Sequence, residues 1–227
     1  GDAGDEFFGG YNRYFLGPKA WRRIGWMPLP LRLLLGAGMT AVPAATVNRL
    51  AGPLARRLGV ALPGDKAHKL GSRLRRVRDI DDLFVSLVNE WPDAAGMVPG
   101  GRIPPNLLDD RSCWPRLSHP VARMMALDGL TYLPDDILVK VDRASMAVSL
   151  ETRAPFLDRA VMEFAWSLPM SMKLRDGRGK WILRQLLDRH VPRALVERPK
   201  MGFGIPLDDW LRGPLRDWAE ALLDEGR

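Results

Sequence analysis

Proline and glycine punctuate this chain so often that no regular element in it can run long. The 227 residues include 19 prolines and 22 glycines. A proline inside a helix removes a backbone donor and clashes with the preceding turn, and a glycine there loses extra backbone entropy. Short helices joined by loops are the expected outcome. The apolar fraction of 46% still supplies a core, so the chain does not have a disordered composition. No strand pattern alternates with helical stretches, so no βαβ unit is expected, and there are no internal repeats. The length suits one large domain or two small ones.

The net charge is +7, with 34 Lys or Arg, and much of the excess falls in residues 19–78, including Arg22-Arg23, Arg56-Arg57 and Arg73-Leu-Arg-Arg-Val-Arg78. Such runs can mark a nucleic-acid footprint or a surface facing an anionic ligand. No nucleic-acid motif accompanies them, so a solvated helical face is the first reading and nucleic acid is not an expected partner. The single Cys113 excludes an internal disulfide and a cysteine zinc site, and His68, His119 and His190 lie too far apart in sequence to suggest a structural metal. One cysteine fits a reducing compartment, so the expected location is cytoplasmic. The acidic, glycine-rich start is not a signal peptide. Residues 31–47 are mostly apolar but are interrupted by Arg32 and Pro43, and a membrane span needs about 20 apolar residues. A buried or amphipathic helix is expected there, with no membrane partner.

Three regions follow. Residues 1–16 are a loop running into a short helix that begins near Glu6. Residues 17–125 are basic, proline-punctuated and helical, with a good helix over 79–91 built on Ile80, Leu83, Phe84, Leu87 and Val88, then a proline-rich loop over 92–106. Residues 126–227 form a helical C-terminal region. There a helix runs from Ile137 to about Leu150, with Pro134, Asp135 and Asp136 suited to its entry. Asp158 or Pro155 opens a helix over 159–167. Another spans 179–190 with Trp181, Ile182, Leu186 and Leu187 inward, and two short ones cover 206–211 and 214–223. Trp210 and Trp218 are expected as core or interface anchors.

The chemistry is concentrated in Gly1-Asp-Ala-Gly-Asp-Glu-Phe-Phe-Gly-Gly-Tyr-Asn-Arg-Tyr14. Glycines let a backbone approach phosphate closely and supply positive φ in a turn. Carboxylates beside them suit Mg²⁺, which binds through one or two Asp or Glu plus phosphate oxygens. The simpler alternative is a glycine turn before an ordinary helix, with Asp5 as its N-cap. The motif begins at residue 1 with no approach to it, so a longer parent sequence is expected.

Residues 1–11 resemble the second nucleotide-site loop of glutamine-hydrolysing asparagine synthetases. Leu133-Pro-Asp-Asp-Ile-Leu-Val-Lys-Val-Asp-Arg-Ala-Ser-Met146, Leu150-Glu-Thr-Arg-Ala-Pro-Phe-Leu-Asp158 and Arg198-Pro-Lys-Met-Gly-Phe-Gly204 resemble the same family, in the same order. The resemblance implies the C-terminal, mainly helical half of an α/β synthetase domain of the ATP-pyrophosphatase type. The Ser-Gly-Gly-x-Asp-Ser pyrophosphate loop and the glutaminase domain with its leading cysteine are not in this sequence, and Cys113 cannot replace that cysteine. The basic region matches no recognised block.

By that resemblance Asp5 is the Mg²⁺ ligand and Asp2 takes the place of a catalytic glutamate, one methylene shorter. Lys200, in its glycine loop, is the catalytic lysine, which can swing over a leaving phosphate. Gly1 gives a backbone contact to the adenylate, Lys140 lies near the substrate, and Asp136 partners the loop acid from a position shifted by one residue. Glu6 is expected to be structural, and Tyr11 to pack under the loop with Phe7 and Phe8. Arg153 with Asp158, and Asp142 with Arg143, are expected to lock helix ends. The implied cofactors are ATP and Mg²⁺. The implied reaction adenylates aspartate and transfers glutamine-derived ammonia to give asparagine, AMP and pyrophosphate. The fragment alone is expected to be inactive, because half of its phosphate site is missing. The resemblance leaves room for a homodimer. Two alternatives stay open: a related amidotransferase acting on another carboxylate, such as a sugar acid or one closing a β-lactam, and a helical binding module without catalysis.

Overall fold

The computed structural model describes residues 2–57, 63–89, 91, 96, 98, 100–197 and 205–224. Among them the regular elements are helices, and the only strand-like pairing is an isolated bridge between Arg175 and Arg178. The mainly helical expectation holds. The chain divides into two compact units, Gly1–Leu186 and Leu187–Arg227.

In the first unit, α1 (Gly4–Phe8) follows the opening turn, and α2 (Arg13–Ile24) leads to three helices of the basic region. These are α3 (Leu29–Ala41), α4 (Ala44–Arg57) and α5 (Pro63–Arg76), with α3 and α4 both packing on α5. Then come α6 (Ile80–Val88) and α7 (Pro120–Leu130). Asp79 starts α6 by accepting from the amides of Asp81 and Asp82, which fills two of the donors a helix start leaves open. The helix stops at Val88 rather than at 91, because Asn89 turns extended.

Pro134 stands in the first turn of a π-helical segment, Leu133–Leu138, which runs into α8 (Val139–Met146). The helical path therefore starts four residues earlier than the sequence pattern indicates and ends earlier, with Ser149 left-handed at φ 58°. Asp158 caps α9 (Arg159–Ser167) through the amides of Ala160 and Val161. Asp142 pairs with Arg143 at 2.8 Å, while Arg153 pairs with Glu151 at 2.7 Å in the open, not with Asp158. After α10 (Met170–Lys173), α11 (Trp181–Leu187) begins two residues later than expected. A side chain on Gly179 would collide with the backbone of Gly9 and Gly10; the chain bends there and turns left-handed at Lys180, φ 57°, before the helix begins.

Two apolar clusters hold the first unit. Tyr14, Phe84, Trp114, Val121, Met124, Met125 and Leu127 join α2, α6 and α7. Ala3, Phe7, Phe8, Leu133 and Ala165 join α1 to the π-helical segment and α9. The second unit holds α12 (Arg193–Val196), α13 (Leu207–Arg212) and α14 (Arg216–Leu223). Trp210 and Trp218 are 40% and 59% exposed, so neither anchors a core here. The stretch 31–47, expected as a buried or amphipathic helix, falls on α3 and the start of α4, and α3 is two-faced in the reverse sense: its one charged side chain, Arg32, is buried and its leucines are exposed.

One buried cation has a measurable cost. Lys173 is 2% exposed, with its Nζ 4.8 Å from the centre of the Trp166 ring. Burial drives its amine down to about 8. Between that value and the unfolded value near 10.5 the unfolded chain binds a proton that the folded chain does not, so stability rises with pH across the window. Below pH 8 both states are charged and the full burial cost applies. Lys173→Met is expected to stabilise the protein by about 2 kcal/mol at pH 7 and to abolish that rise, with the lost cation–π contact offsetting part of the gain. Urea denaturation of both proteins at pH 7 and pH 10 checks this; an unchanged pH profile in the variant would rule it out.

Candidate functional site

The opening turn is built on a strained backbone. Ala3 sits at φ 65° and Gly9 at φ 73°, bracketing the five residues of α1. A left-handed alanine costs energy and persists only where the surroundings hold it, here by Ala3 being buried in the second cluster. The reversal at Gly9 and Gly10 brings the chain back over α1, with the Gly10 amide 2.8 Å from the Asp5 carbonyl oxygen.

Across this turn lies an ion pair between residues 175 apart in sequence. Lys180 Nζ is 2.9 Å from Asp5 Oδ2, and both side chains are about one quarter exposed. The Lys180 amide donates to the Phe8 carbonyl at 2.9 Å, which ties the start of α11 to the end of α1. Any β-carbon on Gly10 would overlap the Asp5 carboxylate and the Lys180 stem. A side chain at 10 would therefore displace the pair, which lies across the Gly10 α-carbon.

Behind the turn is a buried polar layer. Tyr11 donates to Glu6 Oε1 at 2.6 Å, and burial pushes the Glu6 carboxyl above its ordinary range. Asp128 accepts from Arg13 Nε at 2.8 Å and from the Tyr14 hydroxyl at 2.6 Å. It is 1% exposed, and burial pushes it up despite these two donors. The Arg13 guanidinium lies 4.0 Å from the Tyr11 ring centre and 5.1 Å from that of Tyr132. Tyr11 meets the rings of Tyr14 and Tyr132, both at 5.7 Å between centroids. It does not pack with Phe7 and Phe8 as expected; the reversal at Gly9 and Gly10 turns it toward α2 and α7 instead. Phe8 packs on Phe156 and Phe7 on Trp166.

Asp2 lies half-buried just before α1, and Asp5 is in its first turn. Asp136 stands on the π-helical segment, with Lys140 Nζ 3.4 Å from its Oδ2, both half or more exposed. Asp136 is tied to the turn through Tyr132: burial, then the Asp136 charge, push that phenol up, and Tyr132 lies edge-on to Tyr11. Gly1 and Lys200 lie outside the described residues, as does the loop 198–204.

Lys180 is the residue that sequence reasoning passed over. The sequence places it inside the helix expected from residue 179, with no mark of its role; only in the structure does it stand immediately before Trp181 at a helix start, where the helix dipole disfavours a cation and Ser, Thr, Asp or Asn is the usual choice. Its φ of 57° marks the same anomaly in the backbone. Among the described residues no group of three or more His, Cys, Asp or Glu gathers to hold a metal unaided. A lone hard oxygen donor beside a bare glycine backbone fits Mg²⁺ that takes most of its ligands from phosphate and water.

The described residues thus set an acidic glycine turn, clasped by a lysine from a distant helix start, on a fold of short helices. The chain belongs to the asparagine synthase family, whose model, described as asparagine synthase, matches residues 1–227. It is 34% identical to a putative glutamine-hydrolysing asparagine synthetase of Mycobacterium tuberculosis over 228 residues, which is 98% of this chain and 32% of that protein. Asparagine synthetase 1 of Bacillus subtilis is 35% identical over 107 residues, 47% of this chain and 17% of that protein. The carboxyethyl-arginine beta-lactam-synthase of Streptomyces clavuligerus is 36% identical over 90 residues, 37% of this chain and 17% of that protein. The chain thus spans about a third of the length of the Mycobacterium tuberculosis relative. No solved structure matches it.

Proposed function

We propose that this chain supplies the helical half of an ATP-dependent amidoligase site that activates the aspartate side chain as an acyl-adenylate and passes it to ammonia derived from glutamine. The observation that carries the reading is the Asp5–Lys180 pair stretched over the glycine turn. There a carboxylate and a fixed cation lie beside backbone that carries no side chains, where a polyphosphate can come close.

Adenylation leaves negative charge on the departing pyrophosphate, so the site needs fixed positive charge more than an acid or base. Asp5 would hold Mg²⁺, which when bound neutralises phosphate charge. Lys180, which pairs with Asp5 here, would be free to pair with a phosphate oxygen instead. Lys200 provides a second cation from a glycine loop. Asp2, at the lip of the turn, accepts the proton that ammonia sheds as it attacks the acyl carbon. Asp136 and Lys140 bear on the turn through Tyr132, on the side where the acceptor carboxylate would bind. The glutaminase activity belongs to a part of the protein outside this chain, and the location we propose is the cytoplasm.

The test is the full-length protein supplied with aspartate, ATP and glutamine or ammonia. Asparagine, AMP and pyrophosphate in equal amounts are expected, and Lys200→Ala is expected to lower kcat by about a hundredfold or more. Turnover with a sugar acid or a β-lactam precursor in place of aspartate would move the reading to a related amidotransferase. The beta-lactam-synthase likeness makes that second reading concrete. If Lys200→Ala changes nothing, the non-catalytic module stands. The isolated chain given ammonia should show no turnover.

A further inference from the structure

Residues 17–78 contain thirteen Lys or Arg against a single acidic residue, Asp65, so this segment outweighs the net +7 of the whole chain. Asp65 is held by the Asn48 amide at 2.6 Å. Within the segment α3 is inverted relative to an ordinary surface helix, which turns its charges outward. Its sole charge, Arg32, is buried, and Arg32 Nη1 donates to the Val77 carbonyl at 2.7 Å. The outward side carries Leu31, Leu34, Leu35, Ala37, Gly38 and Ala41 and no polar side chain. Leu34 is 71% exposed, and Trp26, in the turn that enters the helix, is 73% exposed. Arg22 and Arg23, just before that turn, are exposed, and the Trp26 indole donates to the Arg23 carbonyl at 2.7 Å.

A helix of 13 residues is about 20 Å long, short of the roughly 30 Å hydrocarbon core of a bilayer. The adjoining Ala44–Pro53 is bent from it by 80°, and among the described residues no single helix is long and apolar enough to cross a membrane. The element has the composition of a helix that lies in a lipid interface: an uncharged apolar face, an adjacent tryptophan and neighbouring cations with almost no anions. A nucleic acid would engage the cations but leave the leucines in water.

We propose that α3 docks flat on an anionic lipid bilayer, with its leucine face and Trp26 in the boundary between headgroups and acyl chains and the neighbouring arginines against lipid phosphate. This does not depend on the reaction proposed above. The full-length protein should co-sediment with vesicles of phosphatidylcholine and phosphatidylglycerol at least about tenfold better than with phosphatidylcholine alone, and added salt should weaken that binding. Leu34→Glu should lower partition by about tenfold or more with an unchanged thermal midpoint, because Leu34 is 71% exposed. Arg22→Glu with Arg23→Glu should reduce binding to the anionic vesicles alone. The fluorescence difference between the protein and Trp26→Phe should shift to the blue on binding. The proposal is overturned by absence of binding to anionic vesicles, by equal partition of Leu34→Glu, or by retention on nucleic acid without retention on lipid. A lowered thermal midpoint in Leu34→Glu together with absent vesicle binding would also overturn it, since the face would then be covered by protein.

Discussion

Lys180→Met in the full-length protein is expected to lower kcat for the proposed synthetase reaction by about 10²- to 10³-fold while folding stability changes little. The two halves of this expectation have separate physical grounds. A cation fixed where negative charge develops acts in a water-poor site, and loss of one such group costs about that factor. The Asp5–Lys180 pair is partly exposed, and pairs of that kind contribute about 1 kcal/mol or less to stability. Lys180→Arg should not restore the rate. The lysine stem threads past Gly4 and Gly10 at close range, and a planar guanidinium does not fit where a compact ammonium does. Asp5→Asn should lower kcat comparably and raise the Mg²⁺ concentration needed for half-maximal rate. Steady-state kinetics with varied ATP and Mg²⁺, alongside urea denaturation, decides the matter. A Lys180→Met protein that loses stability yet keeps its kcat would reduce the pair to a structural clasp and remove Lys180 from the proposed site.

Asp128→Ala should destabilise the first unit by about 3–5 kcal/mol. The carboxylate takes both the Arg13 Nε–H and the Tyr14 O–H inside a layer that excludes water. Deleting it strands a guanidinium and a hydroxyl together, and an uncompensated buried charge costs that much. Asp128→Asn keeps an acceptor and should cost less, about 1–2 kcal/mol. Because Arg13 also lies against Tyr11 and Tyr132, the alanine variant should loosen the turn, raising KM for ATP before kcat falls. Denaturation midpoints of both variants test the ordering. Equal costs for Ala and Asn would mean that the charge, not the hydrogen-bond geometry, dominates.

Much of the helical layout is readable from local rules. Asp158 announces α9, and the apolar spacing of Ile80, Leu83, Phe84, Leu87 and Val88 announces α6. The errors fall where a distant contact overrides a local preference. The helix expected from residue 179 waits until Trp181 because Gly179 is pressed onto the backbone of Gly9 and Gly10. Tyr11 leaves Phe7 and Phe8 because Arg13, Tyr14 and Tyr132 lie on the other side of the reversal. At the site, Asp5 and its glycines stand out in the sequence, whereas Lys180 does not: nothing in a stretch 175 residues away marks it as the partner of Asp5.

Local order along the chain is enough to establish that the protein is built from short helices, that an acidic glycine turn opens it and that a cationic segment follows. Those properties depend on backbone freedom, hydrogen-bond caps and charge count, which neighbouring residues set among themselves. Folding alone decided that Lys180 closes on Asp5, that Asp128 binds Arg13 and Tyr14 in the interior, and that α3 buries its arginine and exposes its leucines. Each of these joins or orients groups through contacts between segments far apart in sequence. Only the packed chain brings such segments together.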